Sequence, residues 1–509
     1  MTASLPLAWQ EAFRRDAAGA ATAVADPLPE RRVARLLAAW IAVGLFFLVF
    51  PGTVLGVWNL IGISSRQTAA AVALSFLQAH GHAQLFGWVG SFIIGICLYT
   101  APKFRGAKTR SLALGWLMLA LWAGAVGGRW VLAFYQVNAP SVWRATALAE
   151  IAVAILLVWQ TSAKFRWRSA ALWDRLIISG FLGLAVALGI QAAAVWNLAE
   201  PVVPVAINSL TIHLALWAFC FPLVWGFSVK IVPPLAGLAA TRVAPALAGL
   251  VVLLAAVLLA VADLAREGAL LTVIAVALTC RSLRIFEPAE RRPKVLGVDR
   301  RYPVFVRFAF AWLVASAMLG AWSHLPGVLG ASRHAFTVGF MATMIFAIGP
   351  RILPAFLNSR ELWSARLMLA SLVLITAGCA LRITAEPLAY GAIMPAAWRV
   401  LPISAVTELA AVVLFAINMI ATLATPIPAW IGSRQVTDRL TVYWYVTAYP
   451  TTRRILAANG LTTLARSGSV PKSLTLREAA AADGASIERL LAALRQFFIR
   501  RRARALRAL

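Results

Sequence analysis

Acidic side chains are scarce in this sequence. Nineteen Asp and Glu stand against 47 Lys and Arg, and charged residues of both signs make up only 13% of the 509 residues. Apolar residues take up 61% and the mean hydropathy is +0.81. Soluble domains run at about 45–50% apolar, so the excess points to lipid rather than to a large core. A net charge of +28 would suggest nucleic acid in a soluble protein. Here the basic residues lie between apolar runs, which suits orientation in an anionic membrane and excludes a nucleic-acid partner. Cysteine is nearly absent: Cys97, Cys220, Cys280 and Cys379 are scattered singly through apolar runs, with no CxxC and no Cys/His pairing. That excludes a disulfide framework, a zinc site and iron–sulfur ligation. The first 35 residues lack a short apolar core with a cleavage site and carry Glu11, Asp16 and Glu30 among arginines. They read as a cytosolic N-terminal tail, not a signal peptide.

Long apolar runs are what is present. A helix needs about 20 apolar residues to cross about 30 Å of hydrocarbon. Runs of that kind fall near 36–63, 68–101, 112–136, 145–163, 176–197, 203–234, 242–262, 268–283, 303–323, 334–357, 365–385 and 400–425. The expected fold is therefore all-α and polytopic, with about 12 transmembrane helices over residues 36–430. Alternate connections differ sharply in charge. Lys103, Arg105, Lys108 and Arg110 crowd one, Lys164, Arg166, Arg168 and Arg175 another, and the 281–307 stretch holds eight basic residues. The intervening connections offer single residues such as Arg66, Arg144, Arg266, Arg333 and Arg399. By the positive-inside rule both termini are expected in the cytosol, in a multi-pass protein of the inner membrane.

The second, sixth and tenth spans share a template. His82, His213 and His334 are each followed thirteen residues later by a small residue (Gly95, Gly226, Ala347) and twenty residues later by a proline (Pro102, Pro233, Pro354). The histidines are 131 and 121 residues apart, so the unit is about four helices, repeated three times. The small residue lets neighbouring helices approach, and the proline can end the span where the basic cluster begins. Only five histidines occur in the chain, and four of them (His80, His82, His213, His334) sit in these three spans. Ionisable groups in a membrane usually face the bundle interior, with a partner or a function. These four are either helix–helix hydrogen-bonding residues or metal ligands, since neutral imidazole binds haem iron and copper. His80 and His82 lie about 200° apart around a helix, so they look to opposite sides of it. His324, in the short SHLPGVLGASRH connection, reads as a solvated histidine. Arg129 and Arg382 fall at near-equivalent repeat positions, 47 and 48 residues after the repeat histidine. They could snorkel to the interface or face inward as cations. Glu150 and Glu408 are inward carboxylates that could pair with arginines or relay protons.

The stretches HGHAQLFGWVGSFIIGICLYTAPKF and RHAFTVGFMATMIFAIGPRILPAF resemble the NnrS family, haem- and copper-containing membrane proteins linked to nitric oxide metabolism and nitrosative stress. The resemblance spans roughly residues 36–425. The histidine pattern is also similar to the main subunit of haem–copper oxidases. The seventh span, 242–262, has no histidine, so the oxidase type of three-histidine copper site cannot be matched, and dioxygen reduction with proton pumping is not expected. RILPAFLNSR stands where the family usually carries a histidine-containing LGHTGR-like stretch. The resemblance implies a haem, of unspecified type, held by His334 and one of His80 or His82, with Arg129 or Arg382 near its propionates. It further implies a second haem or a copper between the other histidine of the pair and His213. Nitric oxide or a redox partner is the implied interactor besides the bilayer. The alternative is a repeat-built transporter or channel for metal or haem.

Beyond residue 430 the composition turns soluble. Residues 441–449 and 450–459 read as short helices, the second closed by Gly460. Thr475 and Glu478 form a capping box, and Ser486 opens a further helix. Residues 436–509 are similar to the small helical DUF1858 module. They lack the cysteines common in that family, so a docking or regulatory role is expected rather than redox chemistry. The end, RQFFIRRRARALRAL, is basic and amphipathic.

Overall fold

The computed structural model describes residues 5–17, 27–107, 109–196, 198, 202–295, 297–357, 362–424 and 436–506. These residues form helices and no strand, apart from one isolated bridge between Thr441 and Thr475. The chain divides into two compact units. One comprises Leu36–Arg351 with Ser364–Met419, and the other Met1–Arg35 with Ile352–Trp363 and Ile420–Leu509.

The long helices of residues 32–424 are α2 (Arg32–Arg66), α3 (Leu74–Phe104), α4 (Leu112–Phe134), α5 (Pro140–Thr161), α6 (Leu172–Trp196), α7 (Val205–Ala236), α8 (Val243–Val261), α9 (Ala265–Leu283), α10 (Tyr302–Ala321), α11 (Val328–Phe356), α12 (Ala365–Tyr390) and α13 (Ala397–Ala424). They are preceded by α1 (Leu7–Ala17). Among the described residues eleven of them are long and apolar enough to cross a bilayer, and the chain is a multi-pass membrane protein. The remaining one, α9, stands where the eighth span is expected but holds Arg266, Glu267 and Arg281 within 19 residues. It packs lengthwise against the strongly apolar α8, and Gly268 lets its backbone approach Ala256. The hairpin preserves the direction of every later span.

The three template helices share a feature that hydropathy does not encode. One or two residues after each histidine the α-helix widens into a π-helical stretch: Ala83–Gly90 in α3, Ala215–Cys220 in α7 and Ala335–Ala342 in α11. A fourth such stretch, Leu48–Val54 in α2, contains Pro51. Proline brings no N–H to the ladder, and the wider i→i+5 turn leaves carbonyls for other donors. Those carbonyls are used across helices. Pro51 O accepts from Trp130 Nε1 at 3.1 Å, Gly52 O pairs with His80 Nδ1 at 2.9 Å, and Phe86 O accepts from Trp122 Nε1 at 3.1 Å. Each template helix then runs two or three residues past its proline, to Phe104, Ala236 and Phe356. The proline therefore marks the helix end rather than terminating it.

The second unit is built on α14 (Val442–Ala448), α15 (Thr451–Ala458), α16 (Thr462–Arg466), α17 (Leu476–Asp483) and α18 (Ile487–Leu506). The Thr475–Glu478 capping box is formed in full, and Gly460 takes φ 115° after α15. The N-terminal region is more than a tail. Trp9 and Ala12 of α1 are fully buried in the same core as Tyr445, Leu456, Leu476 and Leu494.

Candidate functional site

Among the described residues, two polar clusters hold the histidines His80, His82 and His334. The first is closed. His82 on α3 pairs through Nε2 with Glu150 Oε1 of α5 at 2.7 Å, and Arg129 of α4 donates to Glu150 Oε2 at 3.2 Å. Gln191 of α6, its amide turned so that the oxygen faces the guanidinium, accepts from Arg129, which also lies 4.7 Å over the ring of Trp143. Glu150 and Arg129 are 1% and 4% exposed. A buried charge needs a hydrogen-bonded partner, and each is supplied here by another side chain of the cluster.

The second cluster surrounds a cavity of about 290 Å³, lined mainly by apolar side chains of α2, α3, α7, α11, α12 and α13. His80 and His334 both line it, with Arg333, Arg382 and Glu408. The two imidazoles are held in the same way. His80 Nδ1 is 2.9 Å from Gly52 O, the carbonyl freed by the π-turn of α2, and His334 Nδ1 is 3.0 Å from Gly330 O one turn back on its own helix. A carbonyl can only accept, so both Nδ1 atoms carry a proton, and in the neutral rings both Nε2 atoms keep their lone pair. Among the described residues neither Nε2 has a hydrogen bond. Gly56 admits the His80 ring, since a Cβ there would meet His80 Cε1 at 2.5 Å.

The cavity also contains unsatisfied polar atoms: among the described residues Arg382 Nε and Nη1, Glu408 Oε1, Gln84 Oε1 and Asn59 Oδ1 have no hydrogen bond. Buried polar groups are ordinarily paired, so orphans converging on one cavity point to a ligand or water that pairs them. Arg333 is anchored to Ser209 Oγ at 2.6 Å, and Arg382 Nε lies 3.2 Å from Glu386 Oε2.

The NnrS family model matches residues 32–426. The chain belongs to the NnrS family. No curated protein matches it. The match covers the twelve helices α2–α13 and ends before the terminal module, so it carries no support for the DUF1858 resemblance.

Within this NnrS chain the sequence candidates separate. His80, His334 and Arg382 come together at the cavity, whereas His82 and Arg129 belong to the closed cluster on the opposite side of α3. His213 is half-buried, and its neighbour Ile212 reaches the cavity while His213 itself does not line it. His324 is exposed. Glu150 pairs with an arginine, and Glu408 faces the cavity. Two residues were missed by sequence reasoning. Arg333 directly precedes His334, and Glu386 stands one helical turn after Arg382, a spacing that places both on one face. Asn358, Ser359 and Arg360 of the divergent RILPAFLNSR stretch lie outside the described residues.

Haem suits the donors present: two neutral imidazoles with free Nε2 atoms, apolar walls, and unsatisfied arginine N–H groups for carboxylates. The cavity volume of about 290 Å³ lies just below the roughly 300–1,000 Å³ of pockets that hold drug-sized ligands. Among the described residues no three His, Cys, Asp or Glu are placed to hold a metal ion, and a three-ligand copper centre does not fit this donor set.

Proposed function

We propose that this NnrS-family protein binds haem in the cavity between His80 and His334 and acts in nitric oxide metabolism or the nitrosative-stress response. The observation that carries this reading is the matched pair of imidazoles. Each has Nδ1 tied to a main-chain carbonyl and, among the described residues, Nε2 left free at one mainly apolar cavity, which is how a histidine is fixed to serve as a metal ligand. Arg382 and Arg333 would pair the carboxylates of the group, and the apolar walls from α2, α3 and α13 would exclude bulk water. Bound haem would supply one-electron redox chemistry and affinity for diatomic gases. In the His82–Glu150–Arg129 cluster both carboxylate oxygens are bonded to side chains of the bundle, and this cluster is assigned to helix packing.

The test is absorption spectroscopy on the purified full-length protein. The wild type should show a Soret band with sharp reduced α-bands. His334→Ala and His80→Ala should each lower haem content or convert a six-coordinate spectrum to a five-coordinate one. His82→Ala and His324→Ala should leave the spectrum unchanged. Full haem content with an unaltered spectrum in His334→Ala would overturn the assignment and favour the transporter reading.

A further inference from the structure

The same three residue types, His, Glu and Arg, meet twice in the membrane unit. In the closed cluster the carboxylate is fully engaged, with Glu150 2.7 Å from His82 Nε2 and bonded to Arg129. At the cavity the trio of His334, Glu386 and Arg382 is arranged differently. His334 Nδ1 is bonded to Gly330 O at 3.0 Å, while Glu386 Oε2 stands 3.8 Å from the same Nδ1, beyond hydrogen-bond range. Glu386 is 7% exposed, and among the described residues its Oε2 has no hydrogen bond although Arg382 Nε lies at 3.2 Å. Gly330 makes this arrangement possible. A Cβ at that position would fall 2.0 Å from Glu386 Oε1 and 2.7 Å from its Cδ, so only glycine lets the carboxylate sit over this turn of α11.

We propose that Glu386 is a positioning residue for His334: its carboxylate is a second acceptor for the Nδ1–H and sets how strongly Nε2 donates to a metal centre. The proposal rests on the reading that the cavity holds haem. A carboxylate accepting from Nδ1–H makes an imidazole a more basic ligand than a carbonyl does, and a more basic ligand favours the oxidised metal. The distance from 3.8 Å to a bonded contact is within reach of a side-chain rotation, and the hydrogen bond can pass from Gly330 O to Glu386 without moving α11. His80 has no counterpart, since its Nδ1 meets only the Gly52 carbonyl among the described residues. The two imidazoles are therefore unequal, and His334 is the adjustable one.

Redox titration of the haem-loaded full-length protein tests this, with ferric-haem affinity measured alongside. Glu386→Gln should raise the midpoint potential, changing the oxidised-to-reduced ratio about tenfold, or ~59 mV for a one-electron couple. It should also weaken ferric-haem binding about tenfold. Gly330→Ala keeps the carboxylate but displaces it, and should move the potential in the same direction. It carries the test if Glu386→Gln fails to fold. An unchanged potential in both variants at full haem content overturns the inference and leaves the haem reading standing. Equal loss of ferric and ferrous affinity without a shift marks a merely structural role and also overturns it. Absence of haem from the wild type overturns both.

Discussion

Gly56 is the residue on which the orientation of His80 turns, because the imidazole lies where any side chain on α2 would stand. Gly56→Ala should push the ring away from the Gly52 carbonyl and lower haem content. The overpacking itself should cost about 1–3 kcal/mol, so helical circular dichroism should persist while the Soret absorbance per protein falls. The closed cluster makes the opposite prediction. Arg129→Leu leaves Glu150 buried with one partner fewer and should destabilise the membrane unit by about 3–5 kcal/mol, read as a lower melting temperature in detergent with haem stoichiometry retained. The double variant Arg129→Leu with Glu150→Leu should recover much of that loss, because an apolar pair of similar volume leaves no unpaired charge. The two-residue spacing of His80 and His82 was enough to put them on opposite sides of one helix. It could not say which side meets α11, because rotation about a helix axis is set by packing on α2 and α5. For the same reason Arg129 and Arg382 look equivalent in the repeat, yet one is held by Glu150 and Gln191 and the other faces the cavity.

Spanning helices were legible as elements because a 20-residue apolar run has few other uses, and the template marked α3 and α11, the two helices that carry the cavity's imidazoles. The π-stretches were not legible, since a π-turn and an α-turn use the same apolar residues and differ only in which carbonyl each N–H finds. Thr53 shows the difference locally: its hydroxyl donates to Leu48 O, five residues back, at 2.7 Å. Helix α1 was equally hidden, because its partners are more than 400 residues away in sequence. Arg15 pairs with Glu478 at 3.2 Å, and Asp16 accepts from the main-chain N–H of Ser473 at 3.1 Å. An isolated helix of 11 residues is marginal in water, so α1 depends on this docking. Trp9→Ala should destabilise the terminal unit by about 3–5 kcal/mol, measured as faster hydrogen exchange across residues 436–506. The Glu478 carboxyl adds a pH dependence. Partial burial pushes it up, but hydrogen bonds from the Thr475 backbone and hydroxyl and the charge of Arg15 outweigh that and hold it below its usual 4.5. A depressed folded value means that the stabilisation is complete above about 4.5 and is lost as pH falls below it. Glu478→Gln should abolish that acid-dependent part of the exchange.

At the scale of the whole molecule the charge pattern becomes sharper once the helix ends are known. The connections at the proline ends of the template helices, residues 105–111, 162–171, 237–242, 284–301 and 357–364, carry fourteen lysines and arginines. Those at the histidine ends, 67–73, 135–139, 197–204, 262–264, 322–327 and 391–396, carry none. Arg66, Arg144, Arg266, Arg333 and Arg399, which blurred the contrast in the bare sequence, all fall inside helices. The 284–301 connection is also bound onto the helix ends it covers. Lys294 N donates to Leu235 O at 2.9 Å, Arg351 Nε to Lys294 O at 3.0 Å, and Arg307 to the carbonyls of Ile285 and Glu287 at 3.1 and 3.0 Å. Basic connections resist translocation, and those within reach of the spans set orientation. The proline ends are therefore expected in the cytosol, with both chain termini, and the histidines toward the opposite face. Six to eight residues separate His80, His334 and Arg382 from the histidine-side ends of their helices, about 9–12 Å at 1.5 Å per residue. A ligand at the cavity would then sit in the outer half of the bilayer. Cysteine labelling in the intact cell checks this cleanly, because the four native cysteines are buried. A cysteine at Thr109 or Val298 should react with a maleimide only after permeabilisation, and one at Thr68 or Ser323 should react with an impermeant maleimide from outside. Reaction of Thr109→Cys from outside would invert the protein in the membrane and move the candidate haem site to the cytosolic half.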